Sequence, residues 1–200
     1  MSDGFGRRLV IFAKEPRLGR VKTRLGRDIG DVRALKFYRR MLFSLARRLG
    51  SDPRWETLIA GAPDRSVLEG RVWPDNIARF QQGPGDLGIR MQRAFDLLPP
   101  GPVVIIGADI PGIENNDIAE AFDKLGNNDA VIGPAEDGGY WLVGQKRHPR
   151  VIDMFDRVRW SGPHALEDTL KNLKGAQYGL LRPLSDVDDG NDYARLKRRD

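Results

Sequence analysis

The stretch VVIIGADIP, Val103 to Pro111, opens on four consecutive apolar residues and closes on an aspartate held between small residues and a proline. A short run that is apolar throughout suits a strand covered on both faces, whereas a half-exposed strand alternates. Outward from it, strand-like runs recur at Arg8–Ala13, Thr57–Ala60, Ala78–Gln81, Ala130–Gly133, Tyr140–Val143 and Tyr178–Leu184. Helical patterns separate several of them. The longest starts at Gly30-Asp31, sets Leu35, Tyr38, Leu42, Leu45 and Leu49 on one face, and stops at Gly50. Others cover Gly88–Leu98, closed by Pro99-Pro100, then Asn116–Leu125, His164–Leu173 and a final segment near Asp192–Arg199. Strands alternating with helices predict a mainly parallel sheet with helices on both faces, a three-layer α/β/α arrangement. Neither an internal repeat nor a linker interrupts the pattern, so 200 residues read as one domain, residues 1–200.

Composition narrows the classes. An apolar fraction of 40% with 30% charged residues fits a globular chain rather than a disordered one. No apolar run approaches the roughly 20 residues that span a bilayer, and "MSDGFGRR" at the start lacks the apolar segment of a secretory signal. The expectation is a cytoplasmic protein with no membrane partner. With no cysteine, disulfides, thiolate chemistry and Cys-ligated zinc are excluded. The net charge of +5 hides an asymmetry: residues 1–50 hold 14 Lys/Arg against 4 Asp/Glu, and the rest 19 against 24. A basic quarter admits nucleic acid as a partner. Solvated helix faces account for it more simply, and the aromatic-interleaved basic patch of a single-strand binder is absent.

In parallel sheets ligands bind beyond the carboxyl ends of the strands, and four such ends carry suggestive chemistry. After the first strand comes "FAKEPRLGRVKTRLG", residues 12–26, read as a flexible cationic loop. Its Pro16 and Gly19 shape turns, and Lys22-Thr23-Arg24 can offer cations and backbone N–H groups to phosphates. It is no Walker loop, since GxxxxGK[ST] is absent from the chain. After Val103–Gly107 comes Asp109, placed for a hard cation or simply to cap its turn. After Ala130–Gly133 come Glu136 and Asp137 with Gly138 and Gly139; two glycines let backbone approach a ligand closely, and a plain acidic turn is the alternative. After Tyr178–Leu184 come Asp186 and Asp188, two apart and so on one side of an extended chain. With Asp109 they make an all-oxygen set of the kind Mg²⁺ prefers, while Asp189 or Asn191 can cap the last helix unaided. Gly83–Gly88 fits GxGxxG, but "ARFQQ" before it is polar and Pro84 removes an N–H, so a dinucleotide site is discounted. His148 and His164 have neither zinc-ligand spacing nor a GxSxG serine.

These motifs occur together in a known order. "FAKEPRLGRVKTRL" (12–25), "GDLGIRM" (85–91), "IGADIP" (106–111), "GPAEDGGYWLVG" (133–144), "RWSGPHALEDT" (159–169) and "LSDVDDGNDY" (184–193) resemble the DUF2064 family, glycosyltransferase-like proteins related to the 2-phospholactate guanylyltransferases. The resemblance implies the mixed-sheet GT-A, or nucleotide-diphospho-sugar transferase, fold. It sets the loop residues Ala13, Lys14, Gly19, Lys22, Thr23 and Arg24 against nucleotide phosphates. It sets Asp109, with Asp186 and Asp188, at Mg²⁺ or Mn²⁺. Glu15, Gly162 and Asp189 depart from the family's usual residues. The expected activity is metal-dependent transfer from a nucleotide-activated donor, with Glu136 or Asp137 as the base for a small hydroxyl acceptor. Glycosyl transfer from an NDP-sugar is preferred; the alternative is nucleotidyl transfer from an NTP to a phosphorylated acceptor. A non-catalytic nucleotide-binding scaffold would have lost the aspartates, and all are present.

Overall fold

The computed structural model describes residues 6–70 and 72–198. Seven strands run in chain order: β1 (Arg8–Lys14), β2 (Glu56–Ala62), β3 (Ala78–Gln81), β4 (Val103–Gly107), β5 (Ala130–Pro134), β6 (Tyr140–Gln145) and β7 (Tyr178–Leu180). They form one sheet in the order β3-β2-β1-β4-β6-β5-β7. All neighbours are parallel except that β6 runs against both β4 and β5. The short Ala135–Gly139 connection explains the exception, because a tight turn can only return the chain antiparallel. The helices are α1 (Thr23–Ile29), α2 (Asp31–Gly50), α3 (Asp64–Glu69), α4 (Leu87–Leu97), α5 (Asn115–Asn127), α6 (Ala165–Asn172) and α7 (Gly190–Leu196).

Pleating sends alternate residues of each central strand to opposite faces. Leu9 and Ile11 of β1, with Val104 and Ile106 of β4, meet Leu42, Leu45 and Leu49 of α2 and Ile118 and Phe122 of α5. Val10, Val103 and Ile105 point the other way, onto Met91, Ala94 and Phe95 of α4. Both faces are therefore covered, as the all-apolar VVII run requires. Leu42, Leu45 and Leu49 are fully buried, each worth roughly 1.5–3 kcal/mol of transfer free energy. Among the described residues no helix is long and apolar enough to cross a membrane.

Three expectations need correction. The cationic stretch is a loop only as far as Lys22; Thr23–Ile29 is helical, with Leu25 and Gly26 buried. Helix α3 carried no period long enough to notice. The last strand stops at Leu180 rather than Leu184, since Pro183 supplies no N–H to the ladder; the chain rejoins β5 only through the bridge Ala135–Leu184. The final helix begins at Gly190, where Asp189 and Asp192 form a capping box, and it ends at Leu196. Residues 1–5 of the N-terminal reading and Arg199 of the helical one lie outside the described residues.

Candidate active site

The strand order reverses at β1, which has β2 on one side and β4 on the other. A crevice at such a switch point is the expected ligand site of an open α/β sheet. A cavity of about 560 Å³ opens there, lined by Phe12, Ala13 and Lys14 at the end of β1 and by Ala108 and Asp109 beyond β4. The end of β1 is pinned by the buried Tyr38 hydroxyl, which accepts from the Lys14 N–H at 2.9 Å and donates to the Lys14 carbonyl at 3.1 Å.

Lys22 dominates the wall of this cavity. Gly19 turns the preceding chain at φ 67°, and Lys22 itself adopts the left-handed region at φ 46° and ψ 48° as the N-cap of α1. Val21 and Leu25 on either side are buried, so the backbone that carries the lysine is anchored from both directions. Its side chain is only 6% exposed, and its ammonium lies 2.7 Å from Asp109 Oδ2, 2.9 Å from Asp188 Oδ1 and 3.5 Å from Asp186 Oδ2. Alternation brings the last two together. Val187 between them is buried with Leu25 and Ala34, leaving its neighbours to the opposite side, and the Asp188 N–H donates to Asp192 Oδ2 at 2.9 Å. Arg24 adds a second cation at 3.0 Å from Asp188 Oδ2.

The charges perturb one another as this geometry dictates. Burial works against the charge on Lys22, but the charge and hydrogen bond of Asp109, followed by those of Asp188, raise its pKa above the ordinary lysine value. Burial, reinforced by the charges of Asp188 and Asp109 and opposed by Lys22, pushes Asp186 up to about 6. Asp188 moves the other way: burial opposes its charge, but hydrogen bonding and attraction to Lys22 hold it below the ordinary carboxylate value.

Comparison with known proteins fits this architecture. The sequence profile of a family described as an uncharacterized protein conserved in bacteria (DUF2064) matches residues 45–162. A solved structure from Desulfovibrio desulfuricans G20, described as a candidate nucleotide-diphospho-sugar transferase, is 30% identical with a TM-score of 0.86 over 96% of this chain and 87% of that one. The chain belongs to the DUF2064 family. Two further solved structures share the fold at lower identity. One is 4-diphosphocytidyl-2C-methyl-D-erythritol synthase from Anaerococcus prevotii DSM 20548, at 11% identity, TM-score 0.63, and 99% and 98% coverage of the two chains. The other is a manganese complex of Rv0371c from Mycobacterium tuberculosis H37Rv, at 15% identity, TM-score 0.53, and 96% and 97% coverage. No curated protein matches the chain.

In this DUF2064 protein the tertiary structure gathers part of the expected set. Ala13, Lys14, Lys22, Thr23, Arg24, Asp109 and Asp188 line the cavity, and Asp186 stands behind it against Lys22. Gly19 shapes the loop without lining the cavity. Glu136, Asp137, Gly138 and Gly139 do not line it either: both acids are exposed on the β5–β6 turn, and the Asp137 carboxylate accepts from the Gly139 N–H at 2.9 Å. Gly138, at φ 84°, is pressed against Pro163, where an added Cβ would fall 2.4 Å from the carbonyl oxygen. The turn thus supports the loop that carries Ser161 to the cavity.

Other cavity residues escaped the sequence reading of the site. Arg90 enters from α4, donating to the Gly85 carbonyl at 2.8 Å, and the buried Gln82 ties the loop before it to the Ala60 carbonyl at 2.8 Å. The discounted segment 83–88 is therefore part of the wall, through Gly85, Asp86 and Leu87. The quoted "GDLGIRM" was the available signal.

The carboxylates suit a hard cation in chemistry, since three oxygen donors already converge on one positive centre. That centre is the Lys22 ammonium. Among the described residues no group of three or more His, Asp or Glu is poised to hold a metal as it stands.

Proposed function

We propose that this protein is a metal-dependent transferase acting on a nucleotide-activated donor, with glycosyl transfer from an NDP-sugar to a small hydroxyl acceptor as its reaction. The observation that carries the reading is the pairing of a cation-lined cavity with a three-carboxylate cluster, Asp109 and Asp188 in its wall and Asp186 behind it. Arg20, Lys22, Arg24 and Arg90 all border the cavity and supply the charge-assisted donors that a diphosphate needs. Asp109, Asp186 and Asp188 would hold Mg²⁺ or Mn²⁺. A bound divalent ion neutralises charge on the diphosphate as it becomes the leaving group. Ala13, Lys14, Thr23 and Arg24 would cradle the nucleotide, positioned by the Tyr38 hydroxyl behind β1.

In the proposed step an acceptor hydroxyl oxygen bonds to the anomeric carbon, the bond from that carbon to the β-phosphate oxygen breaks, and a nucleoside diphosphate leaves. Arg20, Arg24 and Arg90 stabilise the charge that gathers on the departing phosphate. The hydroxyl proton passes to Glu136 or Asp137. Both are exposed on the β5–β6 turn, whose Gly138 lies against Pro163 of the Ser161 loop. The acceptor would therefore approach from the side of that loop, and Gly138 and Gly139 would hold the turn in place rather than touch phosphate.

A second reading has its own observation. The cavity wall carries Lys14, Arg20, Lys22, Arg24 and Arg90 against Asp86, Asp109 and Asp188. That surplus suits a triphosphate together with an anionic acceptor, as nucleotidyl transfer with release of pyrophosphate would require. Incubation with Mn²⁺ and a panel of NDP-sugars and NTPs separates the two. Slow release of nucleoside diphosphate from an NDP-sugar, with water replacing the acceptor, is expected. Pyrophosphate from an NTP with NDP-sugars intact selects the second reading, and turnover of neither refutes both.

A further inference from the structure

The cluster that would hold the metal already holds a cation that belongs to the chain. The Lys22 side chain is 6% exposed and touches all three carboxylates, and its backbone is fixed between buried Val21 and Leu25. A divalent ion cannot share this position with an ammonium within about 3 Å, because the two repel at short range in a poorly solvated site. For a metal to enter, the lysine side chain must swing away on its flexible four-carbon stem. Its open direction is the cavity that it lines. There it meets Arg20, Arg24 and Arg90. The other carboxylate in that wall, Asp86, is occupied in capping α4 through the Ile89 N–H at 2.9 Å. Four other cations, Lys14, Arg20, Arg24 and Arg90, face that one remaining carboxylate in the wall. The displaced ammonium therefore meets a surplus of positive charge there, whereas a phosphate chain in the cavity offers several anionic oxygens.

We propose that Lys22 is a resident counter-ion that closes the divalent-cation position until a phosphate-bearing ligand arrives, so that metal and phosphate bind together. The inference rests on the metal–nucleotide reading above and adds an order to it: the same lysine neutralises the carboxylates in the free protein and the phosphates in the complex. Metal alone is then a poor ligand, and each partner strengthens the other by the same factor, as linkage demands.

The test reads free Mn²⁺ by electron paramagnetic resonance in titrations of wild type, Lys22→Met and Lys22→Arg, each with and without inorganic pyrophosphate and corrected for protein-free Mn²⁺–pyrophosphate. Wild type should bind Mn²⁺ alone weakly and at least tenfold more tightly when pyrophosphate is present. Lys22→Met should bind Mn²⁺ alone at least tenfold more tightly than wild type and gain little from pyrophosphate. Lys22→Arg, which keeps the charge, should stay as weak as wild type. If Lys22→Met does not fold without metal, the rise of its melting midpoint with Mn²⁺, set against the smaller wild-type rise, reports the same difference. Equal affinity of wild type and Lys22→Met for Mn²⁺ alone, with pyrophosphate-dependent binding intact, overturns the inference and spares the site. Absence of Mn²⁺ binding in every variant and condition overturns the metal reading as well.

Discussion

Asp109→Asn separates the two roles a strand-end carboxylate can have, because they predict opposite rankings of stability and binding. Asp109 makes the shortest of the three contacts to Lys22, at 2.7 Å. A hydrogen bond to a charged partner contributes about 1.5–3 kcal/mol. The substitution loses less than that, since Lys22 keeps Asp188 at 2.9 Å, the asparagine oxygen still accepts, and repulsion among the carboxylates falls. The expected net loss is about 1–2 kcal/mol, or roughly 2–8 °C in melting temperature for a chain of this size. Binding should suffer far more. Removing one of three anionic oxygen donors from the proposed divalent-ion site should weaken Mn²⁺-dependent nucleotide binding about a hundredfold, near 2.7 kcal/mol. Calorimetric titration of wild type and variant with UDP and GDP, with Mn²⁺ and with EDTA, measures that loss; thermal melting measures the other. A melting temperature depressed by 15 °C or more with Mn²⁺-dependent affinity unchanged would refute the reasoning and make Asp109 a purely structural partner of Lys22.

Arg90→Ala should weaken nucleotide binding about tenfold with or without metal, whereas Arg39→Ala, over the Phe43 ring on α2 and away from the cavity, should leave calorimetric affinity unchanged; equal losses would mean diffuse charge attracts the ligand. Gly138→Ala should lower the urea midpoint by the equivalent of about 1–3 kcal/mol, since φ 84° is strained for alanine and its Cβ collides with Pro163; an unchanged midpoint would show that the turn is free to move. Asp186→Asn should stabilise the metal-free protein at pH 7 and not at pH 4. Burial raises the folded pKa from 3.8 to about 6, so the folded state binds the proton more tightly and ionisation costs stability as pH climbs through that window. Melting curves in EDTA that show no difference at either pH would contradict the burial of this carboxylate.

Much of the framework was legible in the chain because it is local. VVII at 103–106 is apolar throughout, and the strand it forms is buried on both faces. Tyr38, Leu42, Leu45 and Leu49 repeat at helical spacing and are all buried in α2. The pair Asp186 and Asp188 shares a side because a strand-like backbone has period two, and the buried Val187 between them follows from the same period. Where local signals were short or mixed, reading failed: α1 lay under a run of basic residues, and Pro183 ended β7 earlier than its apolar neighbours implied.

What the tertiary structure alone decided is who meets whom. Lys22 and Asp188 are 166 residues apart in sequence, and no periodicity links them. They meet because β1 and β4 pair side by side in the sheet while the segment after β7 folds back across α1. The same long-range pairing turned the lysine of a supposed phosphate loop toward three carboxylates, brought Arg90 to the cavity from α4, and left Glu136 and Asp137 on an outer turn. Residue patterns record which side of an element is buried; strand order is set by packing between distant segments, and the charge balance of a site is fixed only when that order has brought its members within ion-pair distance.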